Sequence, residues 1–245
     1  MVQEATLDVQ NLNLRYRGRT VLRNASVQVK RGEITGISGL SGVGKSSLCR
    51  SVCGFDPGSH ASVVAERLDL RGSSLLGLPP HRRAKRGVGF VPERSKIVSE
   101  LSVADNITLG CRASAGEFAR AVDRAVQIFP ELKPHLAKSA GYLSGGERQM
   151  LAIASALVHN PCLLVVDELS LGLAPVVLGG LVDTLKALAA EGTAILVAEQ
   201  SPSVLLELAN EVCFIGVGGE THQGKADLIL EEASLMETLF GGEPA

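Results

Sequence analysis

The sequence is poor in aromatic residues and nearly neutral, and both shortages limit what the chain can be. Its 245 residues include no Trp, two Tyr and six Phe, so the core has to rest on Leu, Val, Ile and Ala. The formal net charge is -2, from 24 Lys and Arg against 26 Asp and Glu. This balance provides no broad basic field for DNA or RNA, so nucleic acid is not an expected partner. A short basic cluster at 81–86 is interpreted as a solvated loop before a strand.

Long apolar runs, leader sequences and paired cysteines are also missing from the sequence. No stretch reaches the about 18 uninterrupted apolar residues of a membrane-spanning helix, and the first residues lack the basic and apolar regions of a signal peptide. Five cysteines are scattered along the chain, and only Cys49 and Cys53 share a helix face. They predict reduced, mostly buried thiols in a reducing compartment, without a metal site.

Alternating strand and helix patterns predict an α/β fold with a mostly parallel sheet. The continuous apolar run at 162–166, and the segment 193–198, which is apolar after Thr193, are typical of strands buried on both faces. Alternating apolar and polar residues at 6–14 and 25–30 predict half-buried strands of an N-terminal antiparallel β subdomain. The pattern from about residue 103 to 144 is helical and more polar. We therefore predict one domain over residues 1–245, with a helical subdomain of approximate bounds 94–150 inserted into its core.

Residues 39–46 form a complete GxxxxGK[ST] phosphate loop between a predicted strand and a predicted helix. The backbone N–H groups of such a loop and the N-terminus of the following helix bind a phosphate. Lys45 would add a positive charge on the outer phosphates, and Ser46 would offer a hydroxyl to Mg²⁺. The candidate ATP-binding residues here are Gly39, Leu40, Ser41, Gly42, Val43, Gly44, Lys45, Ser46 and Ser47.

Two acidic residues follow the apolar run that ends at residue 166. Asp167 lies at the carboxyl end of a predicted buried strand, where a carboxylate can hold Mg²⁺. Glu168 comes next and is the candidate general base for an attacking water. Shortly before this strand stands a Leu-Ser-Gly-Gly-Glu segment. Its residues are Leu143, Ser144, Gly145, Gly146 and Glu147.

A phosphate loop, this Leu-Ser-Gly-Gly-Glu segment and the acidic strand, in that order, resemble the ATP-binding-cassette family over essentially the whole chain. The resemblance implies an ATPase with a P-loop NTPase (RecA-like) core, in which two such domains sandwich each ATP. It also implies that residues 143–147 reach an ATP held by a partner domain rather than the ATP at their own Lys45. Tyr16, 29 residues before Lys45, stands where the family places an aromatic residue that stacks on adenine.

Three positions depart from the family pattern. Glu93 replaces a Gln in the loop that joins the core to the helical subdomain; it can still reach Mg²⁺ or the attacking water, but it adds negative charge. Gln200 replaces a switch histidine that contacts the γ-phosphate. Its amide can donate a hydrogen bond but cannot become cationic, so we predict slower hydrolysis than in a His-containing relative. Ala174 replaces an Asp that the family offers across the dimer.

The strings Ser-Leu-Gly-Leu-Ala-Pro, Val-Pro-Glu and Glu-Gln resemble one subgroup of the family. This subgroup is the second ATPase subunit of bacterial branched-chain amino-acid importers, with urea and short-chain amide relatives. Leu169 departs from it, since the subgroup has Pro there. The resemblance implies a heterodimer with a second ATPase subunit, two transmembrane permease subunits and, indirectly, a substrate-binding protein. It implies a cytoplasmic chain held peripherally on the inner face of the cell membrane by the permeases.

Three alternatives stay open at this point. The ATPase subunit of an exporter or lipid transporter would use the same residues. A soluble cassette protein that acts on nucleic acid or ribosomes would usually carry two cassettes or coiled-coil inserts. A subunit that binds ATP without turnover is suggested by Glu93, Ala174 and Gln200 and opposed by Lys45 and Glu168.

Overall fold

Two β-sheets of opposite kinds form the framework of the chain. In the computed structural model, residues 5–55, 61–94, 96–109 and 115–231 are described. The strands are β1 (Ala5–Tyr16), β2 (Arg19–Lys30), β3 (Ile34–Ser38), β4 (Ala61–Val64), β5 (Arg67–Leu70), β6 (Ser73–Ser74), β7 (Val88–Val91), β8 (Leu163–Asp167), β9 (Ala194–Ala198), β10 (Glu211–Ile215) and β11 (Thr221–Lys225). The helices are α1 (Lys45–Cys53), α2 (Pro80–Lys85), α3 (Val103–Thr108), α4 (Ala115–Ile128), α5 (Gly145–Leu157), α6 (Pro175–Ala190) and α7 (Pro202–Leu208), with 3₁₀ turns at Pro130–His135 and Ala140–Tyr142.

The N-terminal sheet is antiparallel, with the strand order β2-β1-β5-β6 and with β4 paired to β1. The second sheet has the order β11-β10-β3-β9-β8-β7 and is parallel except for the pairing of β10 with β11. This arrangement confirms the predicted α/β fold with an antiparallel N-terminal part. The helices α3, α4 and α5 lie in the chain between β7 and β8, where a helical insertion was expected.

The parallel sheet is buried on both faces. Every residue of β8 and β9 is buried, which explains their continuous apolar sequences. Leu163 and Val165 pack on one side, with α1 and the N-terminal sheet, while Leu164 and Val166 pack on the other, with α5 and α6. Helix α1 therefore lies between the two sheets, and its position is fixed by apolar contacts on both sides.

The carboxyl ends of three neighbouring strands place the functional segments together. Asp167 in β8 pairs with Ala198 in β9, and Ile37 in β3 pairs with the same Ala198. The phosphate loop after β3, the acidic pair after β8 and the segment after β9 thus leave the sheet at one edge. Ligand sites of open α/β sheets form at this edge.

The prediction of a solvated loop at 81–86 was right about solvent exposure, except at Arg83, but wrong about the loop. These residues lie largely in helix α2, and Arg83 is buried. Its guanidinium donates to the carbonyl oxygens of Ser51 at 2.6 Å and Val52 at 2.9 Å. Because these carbonyls belong to the last turn of α1, Arg83 satisfies groups that a helix C-terminus leaves open.

The cysteine prediction can be compared with the structure at four positions. Cys49, Cys53 and Cys213 are buried free thiols and Cys162 is half-buried, whereas Cys111 lies outside the described residues. Burial raises the pKa of Cys213 to about 12 and acts in the same direction on the pKa of Cys53. These thiols are therefore neutral packing groups.

Among the helices of the described ranges, none has the length and apolar character needed to cross a bilayer.

Candidate functional site

The phosphate loop joins β3 to the N-terminus of α1, and its glycines are required by the backbone. Gly39 has φ 140° and Gly44 has φ 120°. A Cβ atom on Gly39 would lie 2.6 Å from the carbonyl oxygen of Ile215, and one on Gly44 would lie 2.8 Å from Leu22 Cδ2. Both positions combine a left-handed backbone with close approach, and only glycine tolerates that combination. The candidates Leu40, Ser41 and Gly42 are exposed, and Val43 is half-buried; Ser46 and Ser47 lie half-buried in the first turn of α1.

Lys45 folds back onto its own loop. Its ammonium donates to the carbonyl oxygens of Gly39 at 2.7 Å and Leu40 at 3.0 Å, and the residue is only 6% exposed. Burial lowers the pKa of Lys45, while the charges of Glu168, Glu199 and Asp167 act in the opposite direction. The buried ammonium of Lys45 thus lies near three carboxylates, and its two hydrogen bonds tie it to the backbone of its own loop.

Asp167 is a buried carboxylate whose oxygens have no partner. The residue is 0% exposed, and within the described ranges neither Oδ1 nor Oδ2 has a hydrogen-bond partner. Burial raises its pKa, and the nearby Ser46 hydroxyl and Arg50 charge only partly oppose the shift. An unpaired carboxylate of this kind needs an explanation. A divalent cation supplies one, since carboxylate and hydroxyl oxygens are the ligands that Mg²⁺ accepts.

Glu168 has a backbone conformation that the sequence does not predict. Its φ is +65°, the left-handed region that a residue with a long side chain rarely adopts. Its N–H donates to the carbonyl oxygen of Ala198 at 3.0 Å, which holds this turn against the end of β9. The Nε2 of Gln200 donates to Glu168 Oε1 at 2.5 Å. The structure therefore brings together two candidates that are 32 residues apart. The left-handed backbone at Glu168 is strained, and such strain is common at functional sites.

Glu93 lies half-buried after β7, with its Oε1 3.1 Å from Arg94 Nε. A second cation, which the motifs did not reveal, lies close by. Lys96 is partly buried, its ammonium donates to Gln149 Oε1 in α5, and burial lowers its pKa. The charges of Glu93, Asp167 and Glu168 act on the pKa of Lys96 in the opposite direction. The extra negative charge that Glu93 brings is thus accompanied by a positive one.

Glu199 is another residue that the motifs did not reveal. It is 1% exposed and accepts backbone N–H groups from the loop after β8 and from the loop after β9. A single sequence carries no signal for this role, because the carboxylate meets Ser170 only through the pairing of two strands. Glu199 thus joins Asp167, Glu168 and Glu93 at the carboxyl ends of these strands.

The Leu-Ser-Gly-Gly-Glu segment opens helix α5 and is capped from within. The N–H of Ser144 donates to Glu147 Oε2 at 2.7 Å, and the N–H of Glu147 donates to Ser144 Oγ at 3.3 Å. This reciprocal capping box stabilises the helix start. The hydrogen bond from the Ser144 N–H is the largest cause of the lowered pKa of Glu147, and His135 Nε2 lies 3.1 Å from its Oε1. Leu143 is buried, whereas Ser144 and Gly145 are exposed.

The neighbours of the two glycines belong to the segment after β8. A Cβ atom on Gly145 would lie 3.9 Å from the carbonyl oxygen of Gly172, which is ordinary contact. One on Gly146 would lie 2.6 Å from Val177 Cγ1 in α6. Ala174 is exposed at the start of α6, and Leu169, where the subgroup has Pro, is fully buried in the core.

Tyr16 ends β1, half-buried, and the guanidinium of Arg17 lies 5.3 Å from the centre of its ring. The start of β2 in the same hairpin packs on the phosphate loop, since Val21 and Leu22 are the nearest side chains to Gly44. The hairpin that carries Tyr16 therefore borders the loop. The stacking of its ring on adenine stays a prediction.

Comparisons with known proteins agree with this geometry. A family model described as ABC transporter matches residues 22–170. The chain is 32% identical to the high-affinity branched-chain amino acid transport ATP-binding protein BraG of Pseudomonas aeruginosa, over 93% of this chain and 96% of the relative. It is 31% identical to a probable branched-chain amino acid transport ATP-binding protein LivF of Archaeoglobus fulgidus, over 94% and 96%. It is 32% identical to the lipopolysaccharide export system ATP-binding protein LptB of Escherichia coli, over 97% and 98%.

The fold is also similar to solved structures. A nucleotide-free ATP-binding cassette from an ABC transporter matches with a TM-score of 0.83 and 22% identity, over 98% of this chain and all of that one. The ADP conformation of another such cassette matches with a TM-score of 0.78 and 23% identity. Two sheets, a phosphate loop and an acidic strand end in this arrangement define an ATP-hydrolysing cassette. The chain belongs to the ABC transporter family, as an ATPase subunit of a transporter.

Proposed function

We propose that the chain powers a membrane importer for branched-chain amino acids or related small amides. The support is the relatives BraG and LivF, which are named for branched-chain amino acid transport, together with the Ser-Leu-Gly-Leu-Ala-Pro segment at 170–175. The second candidate is an ATPase that drives lipid export, because LptB is as similar in sequence as BraG. The residues that handle ATP are the same in both proposals.

ATP binding begins at the phosphate loop. Lys45 exchanges its two bonds to the carbonyl oxygens of Gly39 and Leu40 for the oxygens of a phosphate, which are better partners because they are charged. The N–H groups at the start of α1 point at the same anion. Tyr16 stacks on the adenine from the neighbouring hairpin. The carboxylates beside Lys45 keep its ammonium protonated until the phosphates arrive.

Magnesium completes the anion site in this proposal. Asp167, Ser46 and Glu93 would hold it, and the unpaired oxygens of Asp167 are the observation that supports this assignment. When bound, Mg²⁺ neutralises negative charge on the outer phosphates. Lys96 keeps Glu93 from adding an uncompensated charge beside them.

The bond from Gln200 to Glu168 is the observation that carries the proposed hydrolysis. Because Gln200 occupies Oε1 of Glu168, the second oxygen of this carboxylate is left to accept a proton from the attacking water. The turn at Glu168, fixed by Ala198, holds the carboxylate at the sheet edge next to the phosphate loop. Gln200 thus orients the base, and it donates to the γ-phosphate without adding charge.

A second ATPase subunit covers the Leu-Ser-Gly-Gly-Glu segment. Ser144 and Gly145 are exposed at the N-terminus of α5, and their nearest neighbours lie in the segment after β8. Three apolar side chains in or beside these two segments are exposed. Tyr142, directly before the Leu-Ser-Gly-Gly-Glu segment, is 86% exposed, and Leu171 and Val176, in the segment after β8, are 59% and 89% exposed. Apolar residues this exposed are suited to burial by a partner. In this proposal the subunit that covers the Leu-Ser-Gly-Gly-Glu segment is a different chain, so the two ATPase subunits form a heterodimer.

Two permease subunits would contact the helices that follow Glu93. An open groove of about 650 Å³ between α3 and α4 is lined by apolar residues such as Leu101, Leu109 and Phe118. Permeases held here would place the chain on the inner face of the cell membrane and would receive cargo from a substrate-binding protein. In this proposal residues 1–245 form one nucleotide-binding domain, and residues 94–150 are its helical subdomain.

Uptake of labelled leucine by a strain that lacks the chain tests the function. Uptake should be lost, and the wild-type chain but not Lys45→Ala should restore it. The tagged wild-type chain, purified from membranes, should bring along a second ATPase and two permeases. Normal uptake together with lipid accumulation in the inner membrane would favour the export candidate. Restoration of uptake by Lys45→Ala would contradict both.

A further inference from the structure

Glu199 is a buried carboxylate that no step of the proposed hydrolysis uses. One of its oxygens, Oε2, accepts the backbone N–H of Ser170 at 2.9 Å. The other, Oε1, accepts the backbone N–H of Gln200 at 2.7 Å and that of Ser201 at 3.2 Å. The carboxylate thus lies between two loops and bonds to both, with 1% of the residue exposed.

We propose that Glu199 is a positioning residue that couples the partner-facing loop, residues 169–174, to the pair formed by Gln200 and Glu168. This inference rests on the proposed function, which assigns the loop to the second ATPase subunit and the pair to hydrolysis. The coupling is a short chain of bonds. It runs from the Ser170 N–H through Glu199 to the Gln200 N–H, and from Gln200 Nε2 to Glu168 Oε1.

Only a side chain that offers two acceptor oxygens fits this position well. Three N–H groups point at two oxygens, and an amide side chain would turn an NH₂ group toward one of the loops. Hydrogen bonds to a charged acceptor are about twice as strong as neutral ones, and a buried acceptor that loses its donor is costly. Lys45 lies close enough that the charge of Glu199 acts to raise the pKa of the Lys45 ammonium. The shared carboxylate therefore links the positions of the two loops.

The partner-facing loop is well placed to receive a signal. Leu171 and Gly172 are exposed immediately after Ser170, and Gly172 is the nearest backbone to Gly145 of the Leu-Ser-Gly-Gly-Glu segment. A second ATPase subunit that covers these residues would contact the loop at Leu171, next to the Ser170 N–H that donates to Glu199. Binding of the second subunit would then shift Glu168 through this chain of bonds, so that hydrolysis follows closure of the dimer.

Steady-state ATP hydrolysis by the full-length chain carrying Glu199→Gln, assembled with the second ATPase and the permeases that copurify with it from membranes, provides the first test. We expect kcat to fall by about 10- to 100-fold, since misplacing a reacting group by 1 Å can cost about 10²-fold, while KM for ATP stays within about twofold. Glu211→Gln is the matched control, because Glu211 accepts from Lys30 and Gln223 in another part of the sheet. Equal kcat values for the two variants would overturn the proposal.

A double-mutant cycle separates coupling from general damage. If Glu199 acts through Gln200, then Glu199→Gln should cause no further loss in a chain that already carries Gln200→Ala. Losses that multiply would show that Glu199 acts elsewhere and would overturn the proposal. If Glu199→Gln does not fold, Glu199→Asp keeps the charge but is one methylene too short to reach both loops, and it is judged by the same criteria.

Hydrogen–deuterium exchange of the full-length chain gives a readout that needs no turnover. Without nucleotide, the amide of Ser170 should exchange faster in Glu199→Gln than in the wild type. A non-hydrolysable ATP analogue with Mg²⁺ should slow exchange in 169–174 and 199–203 together in the wild type, but only in 199–203 in the variant. Slowing of both segments in the variant would overturn the coupling. A wild-type chain that does not bind the analogue would instead contradict the proposed function, and the nucleotide-free comparison would still test Glu199.

Discussion

Two helix N-termini in this chain are built in opposite ways. At the start of α1 no side chain among the described residues caps the helix, Gly44 stands at the cap position, and Lys45 bonds to the loop carbonyls. At the start of α5, Ser144 and Glu147 complete a capping box. The first end keeps its N–H groups available for an anion, whereas the second has already satisfied two of its own.

In the proposed function both helix starts would contact a phosphate, and this difference in capping would distinguish the two. The open end of α1 is surrounded by the groups that chemistry needs, including a lysine and buried carboxylates. The capped end of α5 is exposed and preformed, whereas the charge of the proposed base Glu168 acts on the pKa of Lys45 at the other helix start. We therefore expect the free chain to bind ATP at α1, and to use α5 only after a second chain arrives.

The largest effect is expected from disabling chemistry at the open end without disturbing phosphate binding. Glu168→Gln keeps the size of the side chain but removes the base, so kcat should fall by about 10²- to 10⁴-fold. Binding of a fluorescent ATP analogue should be nearly unchanged. Glu220→Gln, at an exposed carboxylate, is the control for the charge change. A Glu168→Gln chain that hydrolyses ATP at the wild-type rate would remove Glu168 from the mechanism.

The next largest effect separates the two ends by affinity. Lys45→Ala should weaken ATP binding by the free chain about 10- to 100-fold, because a hydrogen bond to a charged group contributes roughly 1.5–3 kcal/mol. The matched control is Arg148→Ala. Arg148 is also a cation near a helix start, and it donates to the carbonyl oxygen of Leu143 at 2.8 Å. Equal weakening by both variants, measured by calorimetry, would mean that the free chain does not distinguish its two ends.

A pair of glycine substitutions tests why the capped end carries two glycines. Gly146→Ala forces a methyl group against Val177 and should lower the free energy of unfolding by about 1–3 kcal/mol. Gly145→Ala has room, so its stability should change by no more than about 0.5 kcal/mol. Urea unfolding of the free chains measures both values. Val177→Ala should restore part of the loss in Gly146→Ala, and absence of any rescue would place the strain elsewhere.

The smallest effect concerns the charge of the cap. Glu147 has a pKa below its ordinary value of 4.5, so its charge stabilises the fold above that pH, and the contribution disappears as the pH falls through the lower folded value. Glu147→Gln keeps an acceptor oxygen but loses the charge, and should cost about 0.5–1 kcal/mol at pH 7. Both chains should carry His135→Gln, so that imidazole protonation does not contribute. A difference that stays constant between pH 7 and pH 4 would contradict this account.

Much of the site could be predicted because its residues stand in short strings. The phosphate loop, the Asp167–Glu168 pair and the Leu-Ser-Gly-Gly-Glu segment each fix several positions at once. The buried strands were also predictable, since a strand covered on both faces reads as a continuous apolar run. Their order across the sheet was not, because a parallel sheet joins strands that are far apart in the chain.

Glu199, Lys96 and Arg83 show what a single sequence leaves out. Each is an ordinary charged residue whose role depends on a tertiary partner about 30 to 50 residues away, as the pairs Arg83–Ser51, Glu199–Ser170 and Lys96–Gln149 show. The basic cluster at 81–86 was misjudged for this reason: composition indicated a solvated loop, but the guanidinium of Arg83 is needed at a helix end. The left-handed turn at Glu168 likewise follows from its bond to Ala198 rather than from a local preference.

The unpaired carboxylate of Asp167 has a consequence for the lifetime of the protein in the cell. Burial of this carboxylate raises its pKa, so an ionised Asp167 costs the empty chain stability, and in the proposed function a bound cation and nucleotide would reverse that loss by mass action. Proteases act on the small unfolded fraction, so the empty chain would be degraded faster than the loaded one. The amount of this ATPase in the cell would then rise and fall with the concentration of ATP, through degradation rather than through any control of its synthesis.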